Sequence, residues 1–200
     1  RNMAIDRRGV IWISSPDSLI KFKNGVFELV DTNSFVFYVF VDRRGNIWFS
    51  EPYNSSIAQL DRRGKLIRYY LNDGSSPFLL AVGRRGNVWF TSSDSIKEFS
   101  PRYRAVIEEY RIDGSSSSIA VDRKGVVWFT LNGKLYRISD GSVKPFTLYN
   151  FNAHYVFTDR RGNVWFSDLE NGYVVKVGRR GTEVYIVEGM PYVISMDRRG

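Results

Sequence analysis

Residues Asp42 to Ser50 read D-R-R-G-N-I-W-F-S, and the whole chain is built on this stretch. It recurs as Asp6 to Ser14 (DRRGVIWIS), Gly83 to Thr91 (GRRGNVWFT), Asp122 to Thr130 (DRKGVVWFT) and Asp159 to Ser167 (DRRGNVWFS), and opens a sixth time at Asp197 to Gly200. From first residue to first residue the steps are 36, 41, 39, 37 and 38. A period of about 40 with one supersecondary unit per repeat belongs to propellers and solenoids, whose units bury their apolar surface only by stacking on neighbours.

Asp followed three residues later by Gly suits a tight turn, since the Asp side chain bonds the backbone ahead of it and Gly accepts a positive φ. An apolar run precedes each turn (Tyr38 to Val41, Leu79 to Val82, Ile119 to Val121, Tyr155 to Phe157), and a β-rich run centred on Trp48, Trp89, Trp128 or Trp165 follows it. Each copy is therefore a β-hairpin. Ile47, Trp48 and Phe49 are consecutive and apolar, so the second strand needs cover on both faces, as in sheets stacked on sheets. The remaining residues of each repeat supply two more strands, giving four per repeat, A to D in chain order. Helical periodicity is nowhere sustained. The expected fold is all-β: a β-propeller of five four-stranded blades at about residues 2–33, 34–74, 75–113, 114–150 and 151–188, with one extra innermost strand at 191–197, all within a single domain spanning 1–200. That extra strand either begins a further blade of a larger propeller or competes with the first A strand for one place in a closed ring.

Composition narrows the function classes. With 43% apolar and 16% aromatic residues, the 200-residue chain can bury a sizeable core. No window approaches the length of a membrane span, and no signal peptide opens the chain. Zero cysteines exclude disulfides and thiolate metal sites, and one histidine leaves little for zinc. The cellular compartment stays open. Many charged residues and a single glutamine, Gln59, fit a heat-adapted source. The start at Arg1 and the stop at Gly200 inside a repeat fit a processed product or an excised piece.

The charge is distributed unevenly. Twenty-nine basic residues against 21 acidic ones give +8. In an up-and-down blade the A-to-B and C-to-D turns emerge at one end, and the basic residues gather there. Arg43, Arg44, Arg84, Arg85, Arg123, Lys124, Arg160 and Arg161 come from A-to-B turns, and Arg62, Arg63, Arg179 and Arg180 from C-to-D turns. Turn geometry requires the Asp and the Gly but leaves the middle positions nearly free, yet all twelve middle positions of the A-to-B turns are basic. The favoured reading is a non-enzymatic binding or structural module whose arginine-rich end engages an acidic partner: a nucleic acid, an anionic surface or an acidic protein. The bland alternative is a solvated surface in which the arginines pair with the neighbouring aspartates. Aromatic residues are not interleaved with the arginines, so base-specific reading is unsupported.

Apolar strand, D-x-x-G, [VI]-W-F-[ST], then two further strands: this pattern resembles the streptogramin lyase (virginiamycin B lyase) family of β-propellers. The stretch Gly133 to Arg137 (GKLYR) is also similar to two-component-regulator propeller repeats. The lyase resemblance implies Mg-assisted opening of a cyclic ester, with histidines and a glutamate on the loop face. It points to His154 at the start of the fifth A strand, and to Glu51 and Asp168 just after W-F-[ST], as catalytic residues. His154 with Asp168 could then supply a general base. The pattern calls for more than one histidine, and this chain has one. A Mg-dependent lyase or lactonase is thus the alternative function. No cofactor is expected otherwise, and no metal site is assigned. A second alternative is a repeat domain of a larger surface or sensor protein.

Overall fold

The computed structural model describes residues 2–30, 32–147 and 151–192. Among these residues twenty strands form five four-stranded sheets, each in sequential order. Blade 1 holds β1 (Met3–Ile5), β2 (Ile11–Ser14), β3 (Leu19–Lys23) and β4 (Val26–Val30). Blade 2 holds β5 (Tyr38–Val41), β6 (Ile47–Glu51), β7 (Ser56–Leu60) and β8 (Leu66–Tyr70), with a 3-10 turn at Pro52–Asn54 that the sequence did not announce. Blade 3 holds β9 (Leu80–Val82), β10 (Val88–Thr91), β11 (Ser95–Ser100) and β12 (Ala105–Arg111). Blade 4 holds β13 (Ser116–Val121), β14 (Val127–Leu131), β15 (Lys134–Ser139) and β16 (Ser142–Pro145). Blade 5 holds β17 (Ala153–Thr158), β18 (Val164–Asp168), β19 (Tyr173–Gly178) and β20 (Gly181–Ile186).

The all-β, five-blade expectation holds, blade by blade. Strand β16 ends at Pro145, and just beyond it the Phe146 N–H donates to the Leu135 carbonyl of β15 at 2.8 Å. Of the extra strand at 191–197, Pro191 and Tyr192 are irregular and the rest lies outside the described residues. Among the described residues no helix is long and apolar enough to cross a membrane. The chain divides into two compact units: Arg1–Val82 with Gly86–Glu109, and Gly83–Arg85 with Tyr110–Gly200.

The repeated turn works as a clasp. In blade 2 the Gly45 N–H donates to the Asp42 carbonyl (3.0 Å) and the Asp42 N–H to the Asn46 carbonyl (3.0 Å), with Gly45 at φ 83°, a conformation costly to any residue with a Cβ. Asp42 Oδ1 accepts the N–H groups of Arg44 (2.8 Å) and Asn46 (2.9 Å), while Oδ2 accepts the indole N–H of Trp48 (3.0 Å). Trp128 donates likewise to Asp122 (3.2 Å) and Trp165 to Asp159 (3.1 Å). The spacing D-x-x-G-x-x-W therefore lets one carboxylate tie the turn to the tryptophan.

These tryptophans create the core between blades. Each sheet has a tryptophan face and an aliphatic face, because side chains alternate along a strand. In the first unit, Trp12 and Leu19 of blade 1, with Ala4 and Val30 beside them, pack on Val39, Ile47, Phe49, Ala58 and Leu60 of blade 2. Trp48, Ile57 and Tyr69 of blade 2 pack in the same sense on Leu80, Val88, Phe90 and Phe99 of blade 3. In the second unit, Trp128 and Leu135 of blade 4 lie on Val156, Val164, Phe166 and Val175 of blade 5. This accounts for the consecutive apolar residues of the B strands: every residue of β6, β10 and β14 is buried.

Hydroxyls at the end of W-F-[ST] add polar pins. Ser50 Oγ accepts the Tyr38 N–H in its own blade (3.1 Å) and donates to the Phe78 carbonyl in the next (2.7 Å). Thr130 Oγ1 donates from blade 4 to the His154 carbonyl of blade 5 (3.0 Å). Satisfying a carbonyl at the stacking seam removes a cost of about 1–3 kcal/mol for a buried orphan.

The Asp159 clasp should also be felt in pH dependence. Burial pushes the Asp159 carboxyl up, but the Trp165 indole and the Asn163 and Arg161 donors outweigh it, so its pKa is lowered from the ordinary 3.8. A depressed carboxylate contributes stability that is complete above its unfolded pKa and lost as pH falls through the folded value. Urea unfolding midpoints should therefore drop below about pH 4, and Asp159→Asn should flatten that acid limb. An unchanged limb in the variant would show that other carboxylates control it.

Candidate functional site

Glu51 and Asp168 occupy the same register position, the last residue of the B strand in blades 2 and 5. Both are fully buried. Glu51 takes the Arg68 guanidinium on both oxygens (Nε to Oε2 2.9 Å, Nη2 to Oε1 3.1 Å) and the Ser56 hydroxyl at 2.6 Å, while Arg68 also reaches the Thr32 carbonyl. Asp168 accepts the Asn152 N–H (3.1 Å), the Asn171 N–H (3.0 Å) and the Asn171 side-chain amide (2.9 Å). Each carboxylate closes the loops around it.

His154 is exposed in β17. Ala153 pairs with Asp168 and Tyr155 with Ser167, which leaves His154 as the extra residue of a β-bulge. Its ring meets Tyr192 edge-on at 6.1 Å, and its carbonyl accepts from Ser117 Oγ (2.8 Å) as well as Thr130. Among the described residues no hydrogen bond joins the imidazole to Asp168. His154 and Asp168 thus sit in one blade, the first at the bulge of β17 and the second at the end of β18. Glu51 belongs to the other unit.

Sequence reasoning missed two features of this end of the blades. Ser117 is the bulged residue of blade 4, in the register of His154 in blade 5. Phe37 and Phe78 hold that register in blades 2 and 3, packed edge to face at 5.4 Å, and Phe35 beside them carries the exposed Tyr53 at 4.8 Å. A bulge leaves no mark in residue type, whereas the aromatic pair was visible as Phe37 and Phe78 just ahead of their A strands.

Mg2+ takes about six oxygens in near-octahedral array, usually from one or two carboxylates with open lone pairs. Glu51 and Asp168 have theirs occupied by Arg68, Ser56 and the two asparagines. Among the described residues no group of three or more His, Cys, Asp or Glu side chains could hold a metal ion. The residues present do not fit the ion that the resemblance implied.

The opposite end carries the turns. In the first unit a cleft of about 420 Å³ opens between blades 1 and 2, lined by Arg7, Arg8, Lys21, Arg44 and Arg62 with Asp6, Glu28 and Asp61. Lys21 is neutralised by Glu28 at 2.6 Å. Asp61 is held by the Lys65 and Arg63 amides, and its pKa is lowered chiefly by the Lys65 hydrogen bond. The middle positions of the turns are less free than expected. Arg7 Nη2 donates to the Arg43 carbonyl in the next blade (2.5 Å), and Arg123 lies against Gly162, where a Cβ would touch its Cδ at 3.7 Å. Arg62 covers Gly45 in the same way at 3.4 Å. Arg43, Arg63, Arg84, Arg85, Lys124, Arg160, Arg161, Arg179 and Arg180 all sit in turns at this end of their own blades.

Four-stranded sheets that recur at this period and stack tryptophan face to aliphatic face make the chain a β-propeller protein. The model of the Virginiamycin B lyase family matches residues 19–197, and the chain belongs to that family. Among solved structures it is similar to virginiamycin B lyase from Staphylococcus aureus, with 20% identity over 93% of this chain and 69% of that one and a TM-score of 0.72. It is also similar to the extracellular domain of a one-component system from B. thetaiotaomicron (16% identity, 94% of this chain and 31% of that one, TM-score 0.70). A gluconolactonase from Xanthomonas campestris follows at 16% identity, 91% and 73% coverage and TM-score 0.63. At these identities the likeness is one of fold. No curated protein sequence matches the chain.

Proposed function

We propose that this protein is a binding module of its family that uses the arginine-rich ends of its blades to engage an acidic macromolecule. One observation carries the reading: in the cleft between blades 1 and 2, the Asp6 and Asp61 carboxylates accept from backbone amides, and the Arg8, Arg44 and Arg62 guanidinium groups have no hydrogen-bond or ion-pair partner among the described residues. Guanidinium groups converging on a cleft favour bidentate contact with phosphate or carboxylate. Retention on heparin or RNA should be strong at low salt and fall steeply as salt rises. Arg44→Glu with Arg62→Glu should cut retention sharply and lower the log–log salt slope by about 2, one per lost contact. Retention unchanged by the double reversal would remove this reading. Its setting is a surface or sensor protein, in keeping with the likeness to an extracellular domain.

Ring opening of a cyclic ester is the second reading. The exposed, bulged His154 favours it, since bulges re-aim side chains beside active sites. In the S. aureus lyase a histidine-to-alanine exchange yields a catalytically inactive enzyme, crystallised with quinupristin. An assay against a streptogramin B depsipeptide and a simple lactone, with and without Mg2+, tests it. Turnover by the parent that His154→Ala abolishes, at least 100-fold by general-base arithmetic, supports the reading. No turnover by the parent, or equal turnover by the variant, ends it.

A further inference from the structure

One register position on the D side of a blade decides how its tryptophan is covered. Tyr69 in blade 2, Phe146 in blade 4 and Tyr185 in blade 5 hold it, opposite Ile57, Leu135 and Val174. Each lays an aromatic ring on the tryptophan of its own blade: Tyr69 on Trp48 at 6.0 Å, Phe146 on Trp128 at 5.0 Å and Tyr185 on Trp165 at 5.7 Å. A cation stands over one ring of each pair, Arg104 over Tyr69 (5.1 Å), Arg137 over Phe146 (5.7 Å) and Lys176 over Trp165 (5.6 Å). In blade 1 the position belongs to Val30, opposite Leu19. Valine brings no ring to Trp12, and it is here that the cleft of about 420 Å³ opens between blades 1 and 2.

The chemistry of the cleft says what would take the place of that ring. Its floor is apolar, made by Trp12, Val30, Ile47 and Leu60, and Arg8, Arg44 and Arg62 surround it. A small cavity with an apolar floor and a few convergent polar groups has the anatomy of a small-molecule site. Five cations and three carboxylates line it, which leaves two positive charges. A phosphomonoester matches them, with about 1.5 to 2 negative charges at pH 7 and three acceptor oxygens for the guanidinium groups. Guanidinium planes also stack on flat rings. Lys21 and Glu28, paired at 2.6 Å on the wall, offer a donor and an acceptor to the polar edge of a heterocycle, which a phenol ring would leave unused.

We propose that this cleft binds a nucleoside 5′-monophosphate, with the base against Trp12, where the other blades place a ring of their own, and the phosphate among Arg8, Arg44 and Arg62. The inference rests on the arginine-cleft reading and deepens it, naming the ligand that the apolar floor selects. The base is held by stacking, so its identity matters little. The same chemistry is offered by a free nucleotide and by the phosphorylated 5′ end of a strand.

Titration calorimetry with adenosine 5′-monophosphate, inorganic phosphate and phosphotyrosine tests this. The nucleotide should bind roughly tenfold or more tighter than phosphate alone, the worth of one stacked base. Val30→Tyr, which supplies the ring that Tyr69 supplies in blade 2, should lose that margin while heparin retention and circular dichroism stay those of the parent. Oligonucleotides with a 5′-phosphate or a 5′-hydroxyl separate the two sources: a phosphate-dependent gain that matches the nucleotide assigns the site to strand ends, and its absence beside tight nucleotide binding assigns it to the free nucleotide. Heparin retention without nucleotide binding overturns this inference and leaves the arginine-cleft reading standing, whereas loss of both removes both. A nucleotide no tighter than phosphate, tighter binding of phosphotyrosine, or an unchanged affinity in Val30→Tyr overturns it as well.

Discussion

Phe49→Ala is expected to cost about 3–5 kcal/mol, the range for emptying a buried phenylalanine site. Phe49 is 0% exposed, packed at the centre of β6 between Ala58 and Val39 of its own sheet and beneath the tryptophan face of blade 1. Strands on both sides fix the backbone, so the cavity cannot collapse. The informative control is Ile13→Ala, in the same register of blade 1 but only half-buried, expected to cost about 1 kcal/mol or less. Urea unfolding at low protein concentration, with midpoints compared at constant slope, measures both. Equal costs would mean that Ile13 is as well packed in solution as Phe49.

Arg68→Ala carries the second large effect, roughly 3–5 kcal/mol, because it leaves a carboxylate buried without its cation. Glu51 is fully buried while Arg68 keeps about a quarter of its side chain in water, so the loss falls on the glutamate, which retains only the Ser56 hydroxyl. Glu51→Met combined with Arg68→Met should recover most of that loss, since a well-packed apolar pair is often no less stable than the ion pair it replaces. A double variant as unstable as Arg68→Ala would show instead that the Arg68 bond to the Thr32 carbonyl is what matters.

Glu51 also shows what a resemblance leaves unseen. Its place just after W-F-S fits an acidic catalytic residue, yet nothing local in the sequence reveals that Arg68, 17 residues on, lies across the sheet to neutralise it. Asp168 was hidden in the same way by Asn152 and Asn171. Pairing across strands is a register property, and register depends on the whole blade. The turn arginines were legible as a class, but their division into those that brace the next blade, such as Arg7 and Arg123, and those that line a cleft, such as Arg44 and Arg62, came from contacts between blades.

The repeat spacing, the Asp–Gly turns and the two-sided apolar B strands were enough to establish five four-stranded blades, because turn chemistry and side-chain alternation are local and act within ten residues. The link from Asp42 to Trp48 was latent in D-x-x-G-x-x-W for the same reason. Which faces are covered and which are bare is a different kind of fact. Phe49 and Ile13 read alike in the sequence, and only the stacking of one sheet on another makes the first a core residue while the second stays half-buried, since burial depends on what lies about 10 Å away across the sheet rather than on neighbours in the chain.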